Sequence, residues 1–320
     1  LQWALFLTGR DMTLQQPLHP PVSTRAGNRQ HWGQLHGAAP ALAIVSAARA
    51  FDGLSLVITP DTGTALRLQS ELRVFSGADP ALPVLHLADG ETLPYDNISP
   101  HQDIISERLD TLYRLPSTQK GILVVPTTTA LQRLMPLEYL IGNSLMLKVG
   151  ERLDMETMRR TLENAGYLCV NTVYEHGEFA VRGALMDIFP MGSPHPYRID
   201  LFDDEVETLR TFDPETQLTL TQVDAIQLLP AREFPLDKAG INRFRQHWHE
   251  QFDVDHRSCS VYQDVCAGIA APGIEYYLPL FFETTSTLFD YLPEQTQVYT
   301  FGALGDAAQR FWQETQSRYQ

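Results

Sequence analysis

The side chains of this sequence that could bind a metal ion are three histidines and a cysteine close together in the chain. His247, His249, His256 and Cys259 carry nitrogen and sulfur donors of the kind that zinc prefers. His247 and His249 are two positions apart on a predicted helix, so they face different directions, whereas a helical zinc pair is four positions apart. The spacing therefore favours surface histidines, and no metal site is predicted.

A dense group of carboxylates near residue 203 could bind a divalent cation or supply a general acid and base. The group lies between two predicted strands, which is the position of a hairpin turn. A solvated hairpin tip is therefore the favoured interpretation. The carboxylates are those of Asp200, Asp203, Asp204, Glu205 and Glu207.

A glycine-containing segment before the first predicted helix is where an α/β domain would bind nucleotide phosphates. It reads WGQLHGAAPA over residues 32–41, and its glycines are Gly33 and Gly37. No Gly-Lys-Ser/Thr is present, so the segment lacks the lysine for the β- and γ-phosphates and the hydroxyl that holds magnesium. We interpret it as a degenerate nucleotide loop that is not functional.

The sequence contains no pattern of a nucleophilic enzyme. No Gly-x-Ser-x-Gly turn occurs, and the histidine positions indicate no Ser-His-Asp arrangement. No catalytic residue and no cofactor are therefore predicted. A residual nucleotide-binding or NTPase domain that uses residues 33–37 as its cradle stays open as the alternative function.

Three side chains on predicted strands indicate binding rather than catalysis. In the strand over residues 197–202, side-chain alternation sends Arg198 and Phe202 to the face opposite the core. Arg182 on the neighbouring strand can lie on the same outer face. Exposed aromatic side chains beside arginines are typical of protein interfaces. The alternative is that Phe202 packs under a helix while the arginines pair with neighbouring carboxylates.

Composition narrows the class of protein. The 320 residues, 43% of them hydrophobic, can bury one large core or form two to three domains. The net charge of −15 disfavours bulk binding of nucleic acid. Cys169, Cys259 and Cys266 show no Cys-x-x-Cys spacing, which indicates a reducing cytoplasm rather than a disulfide framework. No apolar run reaches the roughly 20 residues that cross a bilayer, so no membrane contact is expected.

The elements that position these residues begin with an α/β pattern. Over residues 32–126 apolar runs alternate with helical patterns, and continuous runs such as 121–126 are typical of strands in a parallel sheet covered on both faces. The helix predicted over residues 64–75 should turn Leu66 and Leu72 inward.

The pattern of predicted helices and strands changes after residue 127. After a helix over residues 154–165, three short strands are predicted over 178–189, 197–202 and 205–212, and helices return from residue 238. The predicted organisation has four parts. These are a flexible leader (1–24, its first part non-native), the first part of an α/β domain (25–126), an inserted β domain (127–212) and the second part of the α/β domain (213–320). The chain stops within a helical pattern, as a fragment of a longer protein would.

Two long motifs resemble a known family. YEHGEFAVRGALMDIFP over residues 174–190 and YRIDLFDDEVE over residues 197–207 resemble the UvrA-binding domain shared by UvrB and the bacterial transcription-repair coupling factors (Mfd). ETLPYD over residues 91–96 and SPHQDIISERL over residues 99–109 resemble the coupling factors rather than UvrB. The likeness extends from about residue 13 to residue 320 and covers the N-terminal, UvrB-like region of that family.

The resemblance implies a degenerate RecA-like helicase domain without a functional P-loop, into which a small antiparallel β domain with a helix is inserted. It implies a non-catalytic module that recruits UvrA and links stalled RNA polymerase to nucleotide excision repair. Its UvrA-contacting positions match Arg182, Arg198 and Phe202. RNA polymerase, DNA and ATP with magnesium would be handled by C-terminal regions absent from this chain, and the insert would be masked in the resting protein by contact with C-terminal domains.

Overall fold

A computed structural model describes residues 20, 27–77, 79–255 and 258–319, so most of the predicted leader, and His256, lie outside the described residues. The helices are α1 Ala39–Ala50, α2 Thr62–Ser76, α3 Gln102–Arg114, α4 Thr127–Ala130, α5 Leu137–Gly142, α6 Met155–Asn164, α7 Lys238–Gln251, α8 Ser260–Cys266 and α9 Leu304–Tyr319. The strands are β1 Leu54–Thr59, β2 Val84–His86, β3 Gly121–Pro126, β4 Leu145–Lys148, β5 Leu168–Cys169, β6 Glu178–Arg182, β7 Leu185–Ile188, β8 Tyr197–Phe202, β9 Glu205–Phe212, β10 Thr219–Val223, β11 Ala225–Leu228 and β12 Thr296–Thr300. Short 3-10 helices cover Leu115–Ser117, Ile274–Phe281 and Leu288–Tyr291.

A parallel sheet in the order β12-β1-β3-β2 forms the centre of the α/β part. On one face, Val57, Ile122 and Val124 pack into a cluster with α1 and α2. On the other face, Leu56 and Leu123 belong to the large core that includes α3. Both faces are therefore buried, as the continuous apolar runs predicted, and the mixed α/β class is confirmed.

Helix α2 shows where the sequence pattern misleads. Asp61 caps its N-terminus, because its carboxylate accepts a first-turn backbone N–H at 2.7 Å. Leu72 is buried as predicted, but the prediction for Leu66 is wrong, since that side chain is 47% exposed. The buried stripe of α2 runs through Ala65, Leu68 and Leu72, and Leu66 stands off this stripe in a helix with 3.6 residues per turn.

A six-stranded sheet in the order β10-β9-β8-β7-β6-β5 forms the second layer. Its strands are antiparallel except for the parallel pair β5 and β6. The single strand predicted over residues 178–189 is wrong, because the chain reverses between β6 and β7 at Gly183. The φ of Gly183 is +64°, a left-handed conformation that glycine adopts without strain. The sheet also includes β10, which lies beyond residue 212.

The six-stranded sheet is tied to the α/β part along α3. Arg108 on α3 donates from Nε to Oε1 of Glu233 at 2.8 Å, and both side chains are almost fully buried. The backbone N–H of Gly192, in the connection between β7 and β8, donates to the Ser106 hydroxyl at 2.8 Å. The Gly192–Ser106 hydrogen bond joins the sheet to α3, and the Arg108–Glu233 pair joins α3 to the segment that follows β11. Within the described residues, the helices are too short or too polar to cross a bilayer.

Candidate protein interface

The six-stranded sheet has one face turned to the core and an opposite, outer face. Met186, Ile199 and Leu209 stand beside one another in register on β7, β8 and β9, and all three are fully buried. Because side chains alternate along a strand, Arg198, Asp200 and their neighbours on adjacent strands occupy the other side. We call this side the outer face; it carries all three residues for which the sequence predicted a binding role.

Phe202 is the most exposed large apolar side chain on the outer face. It ends β8, directly before the turn at Asp203 and Asp204, and 69% of its surface is open to solvent. The alternative in which Phe202 packs under a helix is therefore wrong. An exposed phenylalanine at a strand end leaves apolar area in water that a partner's pocket would bury.

Arg198 is not a free side chain. Its Nε and Nη2 donate to the two carboxylate oxygens of Asp187 at 2.7 and 3.0 Å, and the guanidinium lies 4.8 Å from the centre of the Phe212 ring. Asp187 is fully buried, and only 18% of the Arg198 side chain is exposed. The hydrogen bonds that Arg198 donates to Asp187 raise the pKa of its guanidinium above the usual value. Arg198 therefore holds β8 to β7 through Asp187, and only the small exposed part of its side chain is available to a partner.

Arg182 is the accessible one of the two predicted arginines. It ends β6 beside the turn at Gly183, where its side chain is exposed. Its Nη2 donates to the backbone carbonyl of Asn171 at 2.7 Å, which steadies the guanidinium on the outer face. Because that contact uses one of five guanidinium donors, Arg182 retains donors for a carboxylate on a partner.

Sequence analysis missed Arg210, which faces Arg198 across β8 and β9. Its guanidinium donates to Asp200, whose carboxylate also accepts from the Thr208 hydroxyl at 2.9 Å. Asp200 therefore belongs to an ion pair within the sheet, so its assignment to the solvated tip is wrong. Asp203 and Asp204 do occupy the exposed turn. The sequence could have indicated Arg210, because it is next to the apolar Leu209 on β9 and therefore faces the opposite side of the sheet.

The two glycines of the segment before α1 lie on the α/β part, away from the six-stranded sheet. No protein atom comes within 4 Å of the position that a Cβ on Gly33 or Gly37 would occupy. Ala38 provides no side-chain cap for α1, and the backbone N–H of Ala39 already donates to a carbonyl. Pro40 removes a further N–H from the first turn, so few donors remain for a phosphate.

The histidines that resemble zinc ligands make separate contacts. The ring of His247 bonds to the Leu280 carbonyl through Nδ1 at 3.1 Å and is largely buried rather than on the surface. His249 bonds through Nε2 to the Tyr262 hydroxyl. Throughout the described part of the chain, no cluster of three or more His, Cys, Asp or Glu side chains could hold a metal ion.

The six-stranded sheet lies within a stretch of the chain that is similar to a known domain. The family model of the UvrB interaction domain matches residues 145–234, a stretch that begins at β4 and ends after β11. Residues 145–234 are therefore similar to the UvrB interaction domain.

Comparison over nearly the whole chain then shows similarity to one group of proteins. Transcription-repair-coupling factors from Escherichia coli K12 and Haemophilus influenzae are 48% and 46% identical, over 93% and 94% of this chain and 26% of each relative. That from Myxococcus xanthus is 31% identical over 91% of the chain. The chain thus spans about a quarter of the length of these relatives. The matches confirm the resemblance seen in the motifs, to the N-terminal region of a transcription-repair-coupling factor.

Proposed function

We propose that this chain is a non-catalytic module that recruits UvrA and thereby links stalled transcription to nucleotide excision repair. The observation that carries the proposal is the 69% exposure of Phe202 on the outer face of a UvrB interaction domain. An apolar anchor on the same face as an accessible arginine and a paired one has the composition of a protein-binding hot spot. The direct test is the dissociation constant of the 320-residue chain for purified UvrA.

The other partners of the proposal act outside this chain. RNA polymerase, DNA and ATP would be bound by the part of a coupling factor that these residues do not cover. In the resting full-length protein, C-terminal domains would cover the outer face and compete with UvrA. The chain itself would work in the cytoplasm, and its net charge of −15 agrees with a protein rather than a nucleic acid as partner.

The α/β part serves in this proposal as a RecA-like scaffold that has lost its nucleotide site. Two features support the loss: the sequence has no Gly-Lys-Ser/Thr after Gly37, and Pro40 lies in the first turn of α1. We expect no binding of ATP with magnesium below a dissociation constant of about 100 µM, measured by equilibrium dialysis. Tighter binding would revive the alternative of a residual NTPase domain.

Replacement of the accessible arginine tests the charge contribution to UvrA binding. We expect Arg182→Ala to weaken binding roughly five- to thirtyfold. The variant loses the ion pair that Arg182 would form with a carboxylate of UvrA near Phe202. Stability should change little, since the side chain is exposed. Arg160→Ala on α6 is the matched control, because Arg160 is also exposed and makes one ion pair, with Glu156. Equal affinities of the two variants would exclude Arg182 from the interface.

A further inference from the structure

A cavity of about 530 Å³ lies where α3, the six-stranded sheet, the 3-10 helix Ile274–Phe281 and α9 meet. It is separate from the outer face: none of Arg182, Arg198 and Phe202 lines it. Its volume falls within the range of sites for small organic ligands.

Most charged groups of the wall already have partners in the protein. Arg108 is paired with Glu233, and the two ring nitrogens of His176 bond to Asp103 and to the Ser193 carbonyl at 2.7 and 2.8 Å. These groups complete the walls and hold the neighbouring elements together. They offer few vacant sites to a ligand.

Arg232 differs from these paired groups of the wall, and from Arg133 and Glu175, whose side chains also lack a hydrogen-bond or ion-pair partner within the described residues but are exposed. Within the described part of the chain, its guanidinium makes no hydrogen bond or ion pair. The side chain is half-buried, and its Cγ and Cδ lie against Gly166, where an added Cβ would come within 2.7 Å of Cγ. Burial lowers the pKa of this guanidinium from its usual value. Glu275 is near enough to interact with this cation electrostatically but forms no ion pair with it. An immobilised and partly desolvated cation without a hydrogen-bonded carboxylate favours an anion from outside.

Two further groups of the wall agree with an anionic ligand. The Thr315 hydroxyl on α9 is buried and has no hydrogen-bond partner, so it can donate to an anion. Glu275 accepts from the Ser99 hydroxyl at 2.8 Å, and burial raises the pKa of its carboxyl. A carboxyl that burial makes harder to ionise disfavours a neighbouring anion less than an exposed carboxyl does.

Apolar side chains complete the cavity. Phe234, Leu278 and Phe311 line it and are almost fully buried. We propose that this cavity binds a small organic anion, a carboxylate or phosphate monoester on an apolar body, whose charged group contacts Arg232 while its body lies against Phe234, Leu278 and Phe311. The site joins the α/β part to the UvrB interaction domain, so its ligand would stabilise that junction.

Calorimetric titration of the 320-residue chain with three probes tests the proposal. 2-Naphthoate and 1-naphthyl phosphate carry the two head groups, and 2-naphthamide is the uncharged match. Either anion should bind at least tenfold more tightly than the amide, which corresponds to about 1.4 kcal/mol. The tighter anion identifies the head group.

Variants assign the binding to this cavity. Arg232→Gln should weaken anion binding at least tenfold without lowering the unfolding temperature, because it removes a cation that makes no hydrogen bond or ion pair within the described part of the chain. Ala270→Trp, which fills part of the cavity, should weaken anion and amide alike. Arg160→Gln, outside the wall, should change neither. Equal affinity for anion and amide, unchanged anion binding in Arg232→Gln, or no binding of either anion at millimolar concentration would overturn the proposal.

Discussion

Phe202→Ala is expected to weaken the binding of UvrA roughly thirtyfold or more, a loss of about 2 kcal/mol or more. The side chain is 69% exposed in the free chain, so its burial in a partner's pocket would come almost entirely from the complex. The free energy of unfolding should change by less than about 0.5 kcal/mol, since few contacts within the chain are lost. Biolayer interferometry on immobilised UvrA and urea denaturation measure the two quantities.

A second phenylalanine provides the control for this prediction. Phe289, in the 3-10 helix Leu288–Tyr291, is 55% exposed and lies on the α/β part. Phe289→Ala removes a similar apolar area at a distant surface and should leave UvrA binding unchanged. If both variants lose affinity equally, the effect is not specific to the outer face; if neither loses any, Phe202 is not an anchor.

Arg198→Ala is expected to destabilise the chain by about 3–5 kcal/mol, the largest stability effect among these variants. The reason is Asp187, whose carboxylate is fully buried and receives two hydrogen bonds from Arg198. Without the guanidinium, a charged group remains buried with no partner. The midpoint of urea unfolding should fall accordingly, while the exposed Arg182→Ala variant keeps the midpoint of the parent chain.

The double variant Asp187→Leu with Arg198→Leu separates the two roles of Arg198. Replacement of both partners by apolar side chains should recover most of the stability, because no unpaired charge is left in the sheet. Weak UvrA binding by this stable double variant would show a direct contribution of the Arg198 rim. Full UvrA binding would restrict Arg198 to holding the sheet, and failure to recover stability would contradict the buried-charge explanation.

Much of the fold was predictable because buried strands and capped helices leave local signals. The continuous runs that became β1 and β3 identified a sheet covered on both faces. The reversal at Gly183 was missed because residues 178–189 are apolar enough to resemble one long strand. Leu66 was misassigned because leucine itself does not indicate which side of α2 it occupies.

The residues of the outer face could also be predicted from the sequence, but their partners could not. Side-chain alternation along β8 placed Arg198 and Phe202 on one side, and the structure agrees. The partner of each arginine was not predictable, since it depends on which residues stand opposite in the neighbouring strands. Arg198 meets Asp187 eleven positions away, whereas Arg210 meets Asp200.

By itself the sequence determined the α/β class, the alternation that places Phe202 opposite the core and the motifs shared with transcription-repair-coupling factors. All of these follow from the order of residues along single segments. Only the tertiary structure decided that Arg198 is held by a buried carboxylate, that Phe202 and Arg182 stay accessible, and that Arg232 lines a cavity with no hydrogen bond or ion pair to the described residues. The physical reason is that pairing, burial and desolvation depend on which distant segments meet in space, and no spacing within one segment encodes that.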